Sequence, residues 1–327
     1  MSAFQYERVT SADEAVAAVG GDPEATFLAG GTTQLDLQLK DAVVSPARLV
    51  DITRLPLGGV ARDGDSIAVG ALTTMEELAA EPIVGERIPF VREALLFGAS
   101  PQLRNLATIG GNLLQRTRCR YFRDPTVAAC NKRERASGCA ARDGAARMHA
   151  ILGTSEHCIA LHASDLCVPL VALDAIVHTL GPSGKRTIPL TELHVTPGDT
   201  PDVEHVLEHG ELITAVEIPL LPKGARSTYL KVRERVSYEF ALTSAAVALE
   251  LERGTISRAR IGLGGVGTVP WRAYGAEAAL SGRAASADAF RAAAEVALEG
   301  AETVPGTAFK LELAKRTLVR ALEMVAS

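Results

Sequence analysis

All five cysteines of this 327-residue chain fall between positions 119 and 167, directly after the run Thr108-Ile109-Gly110-Gly111-Asn112. The first four, Cys119, Cys130, Cys139 and Cys158, are separated by ten, eight and eighteen residues. That is neither the paired C-x-x-C layout of zinc ribbons nor the compact run of bacterial ferredoxins. Long spacings imply a loop wrapped round a site rather than a single knuckle. Four soft thiolates suit zinc or an iron–sulfur cluster. An odd count gathered in one segment argues against a secreted disulfide scaffold and leaves one thiol over.

Local charge bears on the choice without deciding it. From Leu114 to Ala150 the bases Arg116, Arg118, Arg120, Arg123, Lys132, Arg133, Arg135, Arg142 and Arg147 face only Asp124, Glu134 and Asp143, in a chain of net charge −5. A four-thiolate iron–sulfur cluster is anionic, and basic neighbours favour its reduced form. A Zn(Cys)4 site is also an anion. Buried structural cysteines, packing as small apolar residues, are the third reading. His149 and His157 stand nearby, either as substitutes for a thiol at a zinc or as ordinary solvated or core histidines. Cys167, between Leu166 and Val168, reads as core.

Two Gly-Gly turns carry the second signal. In Ala29-Gly30-Gly31-Thr32-Thr33, which follows the apolar run 25–29, glycines can adopt positive φ and aim backbone N–H groups at one anion. No lysine follows at P-loop spacing. With Gly110-Gly111-Asn112 as a second nest, the two phosphates of a dinucleotide could be held. Gly262-Leu263-Gly264-Gly265-Val266-Gly267 matches G-x-G-x-x-G formally. A Rossmann fingerprint must open a helix, and Thr268-Val269-Pro270-Trp271 opposes one, so a turn is expected there.

The periodicity predicts three units: 1–53, 54–223 and 224–327. In the first, Ser11 and Glu14 cap a helix ended by Gly20-Gly21, and strands are expected at 25–29 and 48–52 with a short helix from Leu35 to Lys40. In the second, a strand covers 66–71, Thr73 with Glu76 caps a helix through Leu78, and another helix covers 90–98. Strand-like runs are expected over 157–178. A hairpin turn is expected at Pro182-Ser183-Gly184-Lys185, and an alternating strand from Glu211 to Pro219. The third unit holds antiparallel strands at 229–232, 241–251 and 256–263, then helices Ser286–Leu298 and Ala308–Val325.

Composition excludes several classes. An acidic chain with 4 % aromatics has no nucleic-acid signature. No run approaches the roughly eighteen apolar residues of a membrane span. The N-terminal residues show no basic start and no apolar h-region, so no signal peptide is expected. No G-x-S-x-G, H-E-x-x-H or close carboxylate pair in a convincing context is present. Chemistry would therefore rest with cofactors.

Five stretches together resemble one family, the FAD-binding subunits of the xanthine dehydrogenase/oxidase class of molybdenum hydroxylases. They are Leu28-Ala29-Gly30-Gly31-Thr32, the run from Arg104-Asn105-Leu106-Ala107 through Thr108 to Leu113, Ser164-Asp165, Gly210-Glu211-Leu212-Ile213, and Gly264-Gly265-Val266 with Pro270. The cysteine segment, with Arg118-Cys119-Arg120-Tyr121-Phe122, Cys130-Asn131-Lys132-Arg133, Ser137-Gly138-Cys139 and His149-Ala150-Ile151-Leu152-Gly153-Thr154-Ser155, is similar to the subfamily serving bacterial periplasmic-type aldehyde oxidoreductases. There the flavin subunit carries an extra [4Fe-4S] cluster. Arg120 departs from the small or cyclic residue usual after the first cysteine.

The resemblance implies an α+β protein: a two-lobed, PCMH-type (vanillyl-alcohol-oxidase-like) FAD domain, then a CO-dehydrogenase-flavoprotein-type C-terminal domain of antiparallel sheet and helices. It implies that Phe27, Leu28, Ala29, Gly30, Gly31, Thr32, Thr33, Gln34 and Leu35 cradle the pyrophosphate, with Thr108, Gly110, Gly111 and Asn112 completing the site. Asp165 would bind near the adenine-ribose end or the pyrophosphate, and Ile213 and Lys231 would contact the rest of FAD. Cys119, Cys130, Cys139 and Cys158 would ligate [4Fe-4S] in an insertion at about 114–158. The basic loop would face or neighbour a partner subunit. Implied partners are a molybdopterin-binding large subunit that converts aldehyde plus water to carboxylate, a small subunit with two [2Fe-2S] clusters, and an external electron acceptor. No residue here would act as substrate acid or base. The complex would be cytoplasmic, or periplasmic by co-export with a signal-bearing partner. Alternatives are the flavin subunit of an aromatic acyl-CoA reductase, which also carries a [4Fe-4S] insertion, and a zinc-bearing binding or scaffold module.

Overall fold

The computed structural model describes residues 3–327, and three sheets organise it. The first is parallel, ordered β1-β3-β2, from β1 Gln5–Arg8, β2 Ala25–Leu28 and β3 Arg48–Asp51. Parallel strands need a crossover, and helix Ala12–Gly20 supplies it, capped by Ser11 Oγ, which accepts the Glu14 N–H at 3.1 Å. Ala15, Val16 and Val19 bury its inner face beside Val50. The sequence does not announce β1, whose residues are mostly exposed. It is anchored at its end, where Tyr6 and Arg8 both donate to the buried Asp51 on β3.

Burial pushes the Asp51 carboxyl up, but bonds from Tyr6, Thr53 and Arg8 outweigh it and hold the group well below the carboxylate range. Asp51→Asn is expected to cost about 1–3 kcal/mol at neutral pH, as for a buried charged hydrogen-bond acceptor. A depressed folded pKa contributes stability in full above the unfolded value, and that stability fades as pH falls below about 4. The gap between wild-type and variant melting temperatures should therefore narrow from pH 7 to pH 3.

The second sheet has the order β4-β5-β8-β6-β7, from β4 Val60–Asp63, β5 Ser66–Gly70, β6 Ile176–Gly181, β7 Gly184–Pro189 and β8 Leu212–Pro219, all antiparallel. Residues 71–175 leave this sheet after β5 and rejoin it at β6, so every cysteine lies on one long excursion. Helices Met75–Ala80, Pro82–Arg87 and Pro89–Phe97 open the excursion, and their apolar faces merge with Val69, Val177 and Val216 in one core. The cap of the first is Thr74 with Glu77, one residue later than the sequence reading. Both threonines fit the S/T-x-x-E pattern; Thr73 is buried and its hydroxyl donates instead to Gly59 O at 3.0 Å.

The strand-like reading of 157–178 holds only from Ile176. Residues 159–164 are irregular, and Cys167–Ala172 is a helix. Ser164 Oγ accepts the Cys167 N–H at 3.1 Å, and Pro169, which lacks the donor a ladder needs, sits early in the helix where none is required.

The third sheet, β12-β11-β10-β9, is built from β9 Arg226–Val232, β10 Thr243–Glu252, β11 Thr255–Gly264 and β12 Trp271–Arg272. Helices Tyr274–Leu280, Ala287–Ala297 and Phe309–Ala326 pack on its Val247, Leu249 and Ile261 face. The first of these helices escaped the sequence reading. The glycine run at 262–267 closes β11, turns at Gly265 (φ +70°) and opens no helix, as expected. Among the described residues no helix is long and apolar enough to cross a membrane.

Candidate functional site

A cavity of about 660 Å³ lies where the first two sheets and the excursion meet. Phe27 and the run from Ala29 to Gln34 line it. Leu28 and Leu35 stand behind, packed against the space a Cβ on Gly31 would take. Gly31 adopts φ +72°, the left-handed region that favours glycine. Among the described residues the backbone N–H groups of Gly30 to Thr33 find no acceptor. Four donors left free on one glycine turn fit an anionic group.

Thr108, Gly110, Gly111 and Asn112 also line the cavity, but not as the second nest expected. They form a short helix, Ile109–Leu113, capped by Thr108. The Gly110 N–H donates to Ala71 O at 2.9 Å and the Gly111 N–H to Thr108 Oγ1 at 3.3 Å, so neither is free for a phosphate. Close approach, not positive φ, excludes a side chain here. A Cβ on Gly110 would lie 3.0 Å from Ala71 Cβ, and one on Gly111 2.9 Å from Thr108 Oγ1. The two glycine stretches nevertheless meet: a Cβ on Gly30 would fall 1.8 Å from Leu106 O.

Ser164 donates to Asn112 Oδ1 at 2.6 Å and so ties this helix to Asp165, whose residue lines the cavity. Asp165 is held by Tyr229 Oη at 2.5 Å and Lys231 Nζ at 2.8 Å. Burial raises its carboxyl despite the lysine. Ile213 lines the cavity; Lys231 does not, its ammonium being taken by Asp165 and by Phe97 O at 2.9 Å. Lys231→Met would leave a buried carboxylate without its cation, at a cost of about 3–5 kcal/mol. Denaturant melts should show that loss, and Lys231→Met/Asp165→Leu should regain part of it.

The sequence reading missed Met75 and the loop residues Tyr238, Glu239 and Phe240, all on the cavity wall. That loop joins β9 to β10, and Val236 and Tyr238 in it are 89 % and 62 % exposed. Two aromatic residues within a charged hairpin were the available signal.

The four expected thiols converge. Cys130 and Cys139 are opposed across an antiparallel bridge, which sends both side chains to one side. Asn131 N–H to Gly138 O at 2.8 Å and Ala140 N–H to Ala129 O at 3.0 Å close this small hairpin. Cys119, ahead of helix Arg120–Arg123, packs with Cys130 around Phe122 and with Cys139 around Ala141 and Ile159. No cysteine is in a disulfide. Burial pushes the Cys119 thiol up to about 12, with Cys130 and Cys158 adding to it. Burial also raises Cys158, with Cys139 and Cys130 adding and Lys132 opposing. Thiolates gathered here need positive charge from a bound metal group, which the donor set fits. Tetrahedral zinc with 2.3 Å bonds draws its sulfurs to about 3.8 Å apart. Among the described residues no three of these thiols lie within 4.8 Å of one another.

His149 is buried, pushed down to about 4 by burial, and places Nε2 3.2 Å from Cys119 Sγ. Lys310, wholly buried on the last helix, donates to His149 O at 2.8 Å and Gly265 O at 2.7 Å. His157 turns outward, 3.4 Å from Asp199. The loop's positive excess meets acids elsewhere in the chain: Arg118 and Arg123 on Asp36, Arg116 and Lys132 on Glu204, Arg135 on Asp202, Arg147 on Glu234. It therefore knits the loop to both neighbours more than it presents an open basic surface. Arg118 also lines the cavity, one residue before Cys119.

Residues 2–221 match the model described as FAD binding domain in molybdopterin dehydrogenase, and residues 228–325 the CO dehydrogenase flavoprotein C-terminal domain. The aldehyde oxidoreductase FAD-binding subunit of Escherichia coli is 45 % identical over 98 % of both chains. The carbon monoxide dehydrogenase medium chain of Hydrogenophaga pseudoflava is 29 % identical over 98 % of this chain and 96 % of its own. Reconstituted CO dehydrogenase from Oligotropha carboxidovorans superposes with a TM-score of 0.78 at 26 % identity, covering 99 % of this chain and 98 % of that one.

Proposed function

Because the chain belongs to the FAD-binding subunits of the molybdenum hydroxylases, which are oxidoreductases, we propose that it is the FAD- and [4Fe-4S]-carrying electron-transfer subunit of a heterotrimeric aldehyde oxidoreductase. The observation that carries this reading is the convergence of four unbridged thiols, Cys130 and Cys158 buried and Cys119 and Cys139 partly so, on a loop whose Arg118 lines the flavin cavity. Bound FAD and a cluster supply one-electron relay and, at the flavin, delivery singly or in pairs to an external acceptor. The free amides from Gly30 to Thr33 hold the pyrophosphate. Thr108 to Asn112 shape the wall by close packing, and Asp165, oriented by Tyr229 and Lys231, reaches the adenine-ribose end or the pyrophosphate. Ile213 gives apolar contact. Cys119, Cys130, Cys139 and Cys158 hold the cluster, as the likeness to the aldehyde oxidoreductase FAD-binding subunit suggests.

Substrate chemistry lies with the partners: aldehyde and water become carboxylate at the molybdopterin-binding large subunit, and a small subunit with [2Fe-2S] clusters passes the electrons on. No side chain of this chain acts as acid or base on the aldehyde. The units 1–53 and 54–223 form the two lobes around FAD, and 224–327 closes them. The complex works in the cytoplasm, or in the periplasm after co-export with a signal-bearing partner. The full chain should be isolated with flavin, iron and acid-labile sulfide, and dithionite should produce the EPR signal of a reduced [4Fe-4S] cluster. Stoichiometric zinc with iron near zero would sink the cluster half of the reading and leave the flavin half standing.

A further inference from the structure

Cys167 stands outside the four-thiol group, but it has its own company. Its Sγ, one ring nitrogen of His162 and one of His194 all lie within 4.8 Å of one another. Three separate pieces of chain bring them there: the irregular stretch after Cys158, the start of helix Cys167–Ala172, and the residue that follows helix Leu190–Leu193. The two imidazoles meet edge to face, with centroids 4.5 Å apart at 73°.

Hydrogen bonding says which nitrogens are available. His194 Nε2 lies 2.8 Å from Leu113 O; a carbonyl only accepts, so Nε2 carries the proton and Nδ1 keeps its lone pair. That outer bond to a carbonyl is the arrangement that orients metal-binding imidazoles. His194 Nδ1 and His162 Nε2 are both buried without a hydrogen-bond partner. A buried polar atom left unsatisfied costs roughly 1–3 kcal/mol, and here two such atoms belong to the two histidines grouped with a thiol. His162 Nδ1 accepts the Ser164 N–H in a long contact of 3.4 Å, which puts the ring proton on Nε2; binding a metal through Nε2 moves that proton to Nδ1 and gives up this weak bond. Both histidines line a second cavity of about 440 Å³, which Glu204 and His205 also border.

We propose that His162, His194 and Cys167 form a binding site for one borderline-soft divalent cation of the zinc class, distinct from the four-thiol site. Two imidazoles and one thiolate select zinc-like ions over magnesium or calcium. Three protein ligands leave the fourth position to water from the cavity. On uptake the imidazoles bind neutral and Cys167 gives up its thiol proton, so about one proton is released per metal bound. The metal clasps the chain between Cys158 and Asp165 to the 194 segment and so braces the wall that presents Asp165.

The test uses the full chain, equilibrated with zinc(II), desalted, and assayed for zinc, iron and flavin. Cys119→Ser, which disables the four-thiol site, should still retain about one zinc per chain. In the Cys119→Ser background, Cys167→Ser and His194→Ala should each lose it while keeping flavin. Cobalt(II) gives a readout of ligand identity: thiolate-to-cobalt charge transfer should persist in Cys119→Ser and vanish in Cys119→Ser/Cys167→Ser. Zinc retained in full by both Cys119→Ser/Cys167→Ser and Cys119→Ser/His194→Ala overturns the proposal. So does charge transfer that follows Cys119 instead of Cys167, or the absence of any bound zinc in Cys119→Ser. Because iron and flavin are counted separately, failure here is distinguishable from failure of the cluster assignment.

Discussion

Gly30→Ala is expected to reduce FAD retention at least tenfold. The added Cβ would lie 1.8 Å from Leu106 O and 2.7 Å from Leu106 C, both backbone atoms. A flexible side chain could swing away; a carbonyl fixed between two loops cannot. The substitution must therefore part the loop 29–34 from the run 104–112, the two stretches that shape the cavity. Overpacking of this kind costs typically about 1–3 kcal/mol, and the upper figure is already more than a hundredfold in an equilibrium constant. Gly31→Ala is expected to do less. It meets strain at φ +72° and the movable end of Leu35 at 2.9 Å. Gly58→Ala, with nothing within 4 Å of its new Cβ, serves as the neutral control. The flavin band near roughly 450 nm, relative to protein absorbance, and reconstitution with added FAD measure all three. Normal flavin content in Gly30→Ala would count against the loop contact as a determinant of the site.

Cys130→Ser should strip the chain of iron while leaving its flavin. Cys130 faces Cys139 across the bridge that closes the hairpin, so its loss removes one ligand and unbalances the other. The backbone should survive, because serine can still donate and accept there and the 131–138 and 129–140 bonds do not use the side chain. Iron should fall from four per chain to near zero, as expected for [4Fe-4S], and the EPR signal with it. Full iron in Cys130→Ser would remove this residue from the ligand set. His149→Ala should behave differently. His149 touches Cys119 Sγ at 3.2 Å and is neutral at pH 7, so iron should stay and the reduction potential should move.

Sequence alone revealed much of this arrangement, for identifiable reasons. The Ser11 cap, the Gly20-Gly21 stop and the Pro182-Ser183-Gly184 turn are local, so local rules found them. What failed was set by distance. β1 has no apolar pattern and exists because Asp51, far along the chain, gathers Tyr6 and Arg8. The Gly110-Gly111 pair looks like the Gly30-Gly31 pair in sequence. Only the structure shows that Ala71 O and Thr108 Oγ1 have already taken its amides. Lys231, expected to contact FAD, pairs with Asp165 at 2.8 Å, a partner that no local pattern announces. Cys167, read as core from Leu166 and Val168, is fully buried in the main core; what those neighbours do not disclose is the nearness of His162 and His194.

Lys310 has a consequence for the order in which the molecule is made. All four clustered thiols have been synthesised by residue 158, yet the ammonium that fastens His149 to Gly265 belongs to the last helix. Domains tend to fold in turn from the N-terminus as they emerge. The thiol loop must therefore wait, unlatched, until nearly the whole polypeptide exists. A chain cut short before residue 310 would carry all four thiols and still lack the fastening. The loop is thereby sealed only once residue 310 is in place.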